Sequence, residues 1–206
     1  MNRRIHLAAI AFIALTPLAA QAPKGWKMRV DHSTSASDPD ASGEIKFTTQ
    51  GSGFHAVNPQ AAVYWNPSNT ASGNYTVKGT FTLNKPSSHA NYYGIIFGGS
   101  DLDGPKQSYA YFVVAQNGTF LIKKRDGDAT PNVKGRTPND AVKKPDDTGK
   151  STNTLEVRVG ADKVDFVVNG TVVDSEPKSA LGKTDGIYGI RINHILDVQI
   201  DNFAKS

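Results

Sequence analysis

The chain contains no cysteine. That excludes a disulfide, a thiolate nucleophile, a cysteine metal ligand and a lipid-modified cysteine. Exported proteins depend on disulfides mainly when the core is small, and a domain of some 180 residues closes an adequate core without them. Glutamate is scarce, with only Glu44, Glu156 and Glu176 present. Glycoside cleavage usually needs two carboxylates flanking the bond. Aspartate is plentiful enough to supply them, but the spacing singles out no pair. No Gly-x-Ser-x-Gly elbow and no nucleotide-binding glycine loop occurs. A long segment of 3.6-residue apolar period is missing as well, and so is any long apolar run beyond the first 22 residues.

The N-terminus is where the apolar run sits. Arg3 and Arg4 precede Leu7–Leu15, then Thr16-Pro17 and the small-residue stretch Ala19-Ala20-Gln21-Ala22. Basic, apolar and small, in that order, is the pattern of a secretory signal, and the run is too short to span a bilayer. Cleavage after Ala22 satisfies the small-x-small rule but leaves Pro23 next; cleavage after Ala20 is the alternative. The expectation is a signal peptide at 1–22 and one domain at 23–206, periplasmic or extracellular, with no membrane span once the signal is removed.

Removing that leader lowers the charge. Lys+Arg total 23 against 19 Asp+Glu; without Arg3 and Arg4 the excess is about two. Lys123-Lys124-Arg125 and Lys143-Lys144 are the basic clusters, with Asp126, Asp128, Asp146 and Asp147 beside them. A nucleic-acid partner would call for a dominant positive stripe, so none is expected.

The strongest periodicity is two. Tyr75, Val77, Phe81 and Leu83 alternate with polar residues, with Gly79 on the apolar side. Leu155, Val157 and Val159 do the same, as do Val164, Phe166 and Val168. Successive strand side chains face opposite ways, so each set describes a strand with one buried face. Asn117-Gly118 and Asn169-Gly170 separate strand pairs and suit two-residue hairpin turns of positive φ; Gly160-Ala161-Asp162 is a third reversal. Further strands are expected at 27–30, 44–48, 53–57, 62–65, 92–97, 186–192 and 196–200. Tyr92–Phe97 and Tyr109–Ala115 are apolar on both faces, which places them centrally with one face under loops. Asp126–Asn153 reads as a long polar loop. About twelve short strands without helices predict an all-β fold, a two-sheet antiparallel β-sandwich of jelly-roll type.

Asn153-Thr154-Leu155-Glu156-Val157-Arg158-Val159, a tight turn, and Val164-Asp165-Phe166-Val167-Val168-Asn169-Gly170 resemble the strand–turn–strand–Asn-Gly pattern of concanavalin A-like lectin/glucanase jelly rolls. Tyr92-Tyr93-Gly94-Ile95-Ile96-Phe97 is similar to that superfamily's central strand. Gly186-Ile187-Tyr188-Gly189-Ile190 and Val198-Gln199-Ile200-Asp201-Asn202-Phe203 are similar to its closing strands. The nearest branches are laminin-G-like modules and the exported domains associated with 3-keto-disaccharide hydrolases. The likeness covers most of residues 23–206 and rests on strand pattern, so it bears on fold more than on chemistry. The Glu-x-Asp-x-x-Glu strand motif of the sandwich glucanases is absent.

Carbohydrate recognition without catalysis is the function this implies, with a glycan or oligosaccharide as partner. A pyranose stacks its C–H face on an aromatic ring and offers hydroxyls to Arg, Asn and Asp. Trp65, Tyr93 and Tyr111 are the candidate rings, with Tyr109 beside them. Arg125, Arg191, Asn193 and His194 are the candidate polar contacts, the last three sharing one strand end. Tyr93, Tyr111, Arg125 and Arg191 should converge on one concave face. The histidines His32, His55, His89 and His194 are scattered without metal-ligand spacing. No cofactor is required; calcium is the ion that Asp101 and Asp103 would suit, although six to eight oxygens are needed and this loop supplies part of them. Asp31, Asp38 and Asp40 read as a second acidic, solvated loop. Two other readings stand beside this one: a hydrolase or lyase acting on 3-keto glycosides, and an adhesive module whose edge strands or 126–153 loop contact another protein.

Overall fold

The computed structural model describes residues 23–206; the signal peptide expected at 1–22 lies outside them. Fourteen strands and one four-residue helix, Lys178–Leu181, make up the fold. The strands are Lys27–Asp31 (β1), Lys46–Gln50 (β2), Gly53–Asn58 (β3), Ala61–Ala71 (β4), Tyr75–Lys85 (β5), Tyr92–Ser100 (β6) and Ser108–Ala115 (β7), then Thr119–Asp126 (β8), Asn132–Pro138 (β9), Ser151–Val159 (β10), Lys163–Val168 (β11), Thr171–Pro177 (β12), Gly186–Ile192 (β13) and Leu196–Lys205 (β14). They form two seven-stranded antiparallel sheets. The front sheet runs β1-β4-β13-β6-β7-β8-β9 and the back sheet β12-β11-β10-β5-β14-β3-β2. The chain is the expected two-sheet sandwich.

Between the sheets lies one apolar layer. Val77, Phe81 and Leu83 of β5 and Val157 and Phe166 of the β10–β11 hairpin supply it from the back. Tyr64, Ile95, Phe97, Phe112, Phe120 and Ile190 supply it from the front. Each of these side chains is withdrawn from water, a contribution of roughly 1.5–3 kcal/mol apiece. Strands β6 and β7 occupy the middle of the front sheet, as their two-faced apolar character requires. Their outer faces belong to a second cluster, Val63, Trp65, Tyr92, Ile96, Tyr109, Tyr111 and Val113, capped by Leu102 from the 101–107 loop.

Three local expectations need correction. Asn169-Gly170 does form the two-residue turn, with φ of 50° and 85°. Asn117-Gly118 does not: only Gly118 has positive φ, its N–H reaches the Ala115 carbonyl at 3.1 Å, and the loop has three residues, 116–118. The stretch 126–153 is not one loop, because β9 pairs with β8 as the sheet's edge. Edge strands need only one buried or paired side, so β9 lacks the alternation that betrays an inner strand. Strand β4 also runs six residues past Trp65, through Pro67. Its register against β13 shifts there, and β1 has already ended, so the missing proline N–H goes unneeded.

Candidate functional site

The outer face of the front sheet carries a groove of about 920 Å³. Strand parity decides what enters it. Ile190 and Ile192 point into the core, so Arg191 between them faces outward. In register beside it stand Gly94, then Val113, then Leu121. The adjacent row is Gly189, Ile96, Tyr111 and Lys123. Glycine is required at 94, where a Cβ would meet the Phe112 carbonyl oxygen and the Leu155 side chain. The guanidinium lies 5.1 Å from the centre of the Tyr111 ring and donates to Tyr109 Oη at 3.0 Å.

Arg191 is buried and held by Asp31, whose Oδ2 accepts from its Nη1 at 2.6 Å. Burial opposes its charge; the surrounding phenols and Asp31 outweigh that and raise its pKa further. Arg125 enters the same face from β8. It lies 3.7 Å from Asp31 and donates to the Gly127 carbonyl at 2.6 Å. Lys123, one step along β8, donates to Thr130 Oγ1 at 3.2 Å. Burial first, then Arg191, Arg136 and Arg125, hold its pKa below the ordinary lysine value. Arg136 of β9 stacks over Tyr92, 5.7 Å from the ring centre. Among the described residues neither Lys123 nor Arg136 is within ion-pair distance of a carboxylate.

At the other end of the groove the 32–41 loop folds over the β13–β14 turn. Asp40 accepts from the Ser33 N–H at 2.9 Å and lies 3.0 Å from His194 Nδ1. Burial raises its pKa, but the Ser33 N–H and the His194 and His32 contacts prevail and leave it lowered. Asp38 Oδ1 lies 3.1 Å from His194 Nε2 and 2.8 Å from His89 Nε2. Asn193, whose N–H bonds the Tyr92 carbonyl at 2.9 Å, completes the wall beside His194.

Of the residues singled out in the sequence, Tyr111, Arg125, Arg191, Asn193 and His194 line this groove. Tyr93 and Trp65 do not. Tyr93 pairs with Val114 while Tyr111 pairs with Ile96, an odd offset that puts the two tyrosines on opposite faces. Tyr93 is a core residue packed on Phe81, and its neighbour Tyr92 takes the outer face. The expected four-residue convergence is therefore met by three. Trp65 faces outward but is sealed under the second cluster. Neither groove tyrosine is left bare for stacking: Tyr92 and Tyr111 are each at most 4% exposed and lie beneath Arg136 and Arg191.

Asp101 and Asp103 are engaged by neighbouring groups of the protein. Asp101 accepts from the Lys106 N–H at 2.8 Å, and Asp103 pairs with Lys27 at 2.8 Å. Neither belongs to a cluster of three or more His, Asp or Glu side chains among the described residues. Two further expectations are corrected. Asp31 and Asp40 are engaged with Arg191 and His194 rather than solvated, while Asp38 stays 45% exposed and contacts both His89 and His194. His89 and His194, 105 positions apart in the sequence, meet with their rings 5.5 Å apart. Lys123, Arg136, Asp38 and His89 carried no sequence signal as a site, because only the sheet register and the loop fold-over bring them together.

No protein-family model matches the sequence, and no curated protein does. Solved structures share its shape. Carbohydrate-binding module CBM66 from Bacillus subtilis aligns with a TM-score of 0.63 at 14% identity, over 88% of this chain and 95% of that one. A Bacillus subtilis protein of unknown function with a galectin-like fold gives 0.58 at 16% identity, over 88% and 89%. A Bacteroides ovatus GH16 protein of a mixed-linkage glucan locus, in complex with a product, gives 0.56 at 8% identity, over 89% and 95%. At these identities the likeness is one of fold: a two-sheet jelly-roll β-sandwich like those of carbohydrate-binding, galectin-like and GH16 proteins.

Proposed function

We propose that the groove binds a saccharide carrying acidic groups, without cleaving it, and that the protein does so in the periplasm or outside the cell. One observation carries this: Lys123, Arg125, Arg136 and Arg191 line one floor, and among the described residues Asp31 is the buried carboxylate paired with them, the Asp128 carboxylate near Arg125 being fully exposed. Burial first, and then the three guanidiniums, hold Lys123 below its ordinary pKa, and an anion in the groove would relieve the crowding of like charges. Guanidinium forks match carboxylate and sulfate oxygens in pairs, and Asn193 can meet hydroxyls. Because both groove tyrosines are covered, recognition runs through hydrogen bonds and charge rather than ring stacking. The fold supports the reading by analogy, since its neighbours include a carbohydrate-binding module. Export rests on the order of residues in 1–22.

A glycan array containing neutral, uronate and sulfated saccharides tests the proposal. Retention of acidic saccharides, lost in Arg136→Ala, is expected. Binding of neutral glycans alone, or of none, would overturn it. Arg136 packs on the surface of an edge strand, so its loss should leave the fold intact.

A second reading has one observation behind it. His194 Nδ1 rests on Asp40, the oriented-imidazole arrangement of a general base, which fits a hydrolase or lyase acting on 3-keto glycosides. Turnover of such a glycoside, abolished in His194→Gln, would favour it over simple recognition.

A further inference from the structure

We infer that Asp38, His89 and His194 form a binding site for a divalent transition-metal ion, zinc being the natural candidate, with its open side toward the groove. The inference does not rest on the saccharide reading. One atom from each residue, Asp38 Oδ1, His89 Nε2 and His194 Nε2, lies within 4.8 Å of the other two. Two imidazoles and one carboxylate are the donors of a three-ligand zinc site that keeps a position free, and of other first-row metal sites with open positions.

The outer contacts strengthen the case. Each ring has its other nitrogen engaged from behind: His194 Nδ1 by Asp40 at 3.0 Å, His89 Nδ1 by Ser88 Oγ at 3.2 Å. A carboxylate behind a histidine fixes the tautomer that turns the Nε2 lone pair inward and raises its basicity. The Asn91 amide nitrogen, 3.1 Å from His89 Nε2, is a donor and also requires a lone pair on that atom. With neutral rings, two lone pairs would then face one carboxylate oxygen at 2.8 and 3.1 Å. One metal ion shared by all three residues reconciles them and leaves each ring a single role; the competing arrangement places ring protons between the imidazoles and Asp38. On binding, the Asn91 amide yields the lone pair to the metal.

His194 is buried at the β13–β14 turn, while His89 and Asp38 come from loops on either side of it. All three line the groove. An oxygen of whatever occupies the groove can therefore reach the open coordination position.

Calorimetric titration of the chelator-treated protein with zinc chloride tests this, with cobalt(II) absorption as a spectroscopic readout. We expect one ion per chain with micromolar or tighter affinity, d–d bands with cobalt, and a melting midpoint raised by about 5 to 10 °C at a hundredfold excess over Kd. His89→Ala, on an exposed loop, should lower the affinity at least a hundredfold. Asp40→Asn, which removes the carboxylate behind His194 while keeping an acceptor for the Ser33 N–H, should lower it about 10- to 100-fold. Absence of zinc binding by the unaltered protein, or a Kd indifferent to His89→Ala, overturns the inference and leaves a hydrogen-bonded His–Asp clasp. Arg136→Ala should leave zinc affinity unchanged while reducing saccharide retention, so failure of one proposal is distinguishable from failure of the other.

Discussion

Replacing Arg191 by Met should destabilise the protein by about 3 kcal/mol, near the lower end of the 3–5 kcal/mol seen when one partner of a buried ion pair is removed. Arg191 and Asp31 side chains are 11% and 10% exposed, so the substitution strands a carboxylate in a nearly dry place. It also removes the donor to Tyr109 Oη and the cation over Tyr111. Two features hold the cost down. Arg125, 3.7 Å from Asp31, still faces the orphaned charge, and methionine refills most of the volume. At about 2–4 °C per kcal/mol for a domain of this size, the midpoint should fall by roughly 6 to 12 °C. Urea unfolding of Arg191→Met, Asp31→Asn and the double variant separates the causes. If the stranded charge dominates, the double variant recovers more than half of the loss, because no carboxylate is left unpaired. A single variant within about 1 kcal/mol of the parent, or a double variant no better than the single, would refute this account of the groove floor.

Ile195, a β-branched residue, sits at φ 56° in the turn after His194; Ile195→Asn should stabilise by about 1 kcal/mol, seen as a midpoint rise of about 2–4 °C. An alanine at Gly94 would place its Cβ 2.3 Å from the Phe112 carbonyl oxygen, so Gly94→Ala should cost at least about 3 kcal/mol in denaturant unfolding. Asp40 has a pKa lowered below 3.8. The stability that it contributes is complete above that value and lost as pH falls through the lowered one, which the Ser33 amide shift in NMR should report. Lys123 has a pKa lowered below 10.5, and an anion in the groove raises it. Affinity for an acidic saccharide should therefore be greatest below that depressed pKa and decline as pH rises through it, readable as a Kd measured at several alkaline pH values.

The sandwich was legible because inner strands of a half-buried sheet must alternate. Phe81, Val157, Phe166 and Ile190 stand at the positions that parity assigns them, and all are core residues. Parity also placed Arg191 correctly between Ile190 and Ile192. It failed at Tyr92-Tyr93, where both faces of β6 are apolar and the sequence holds no clue to which tyrosine points outward. Edge strand β9 was invisible for a related reason: one paired side and a solvated face demand no apolar period, so Arg136 passed for a loop residue. The Asp38–His89–His194 cluster joins two loops and a turn. Its proximity follows from tertiary closure alone, and no local spacing encodes it.

Titration of an oligouronate into the protein at low and high salt bears most directly on the claim that the crowded cations of the front face are a ligand site. Binding at low salt, weakened by added salt as partly exposed charges are screened and reduced about 10- to 100-fold by Arg136→Ala, where a charge-assisted hydrogen bond is lost, is the result predicted. Equal affinity for the neutral oligosaccharide of the same length, or binding indifferent to both salt and Arg136, would contradict it.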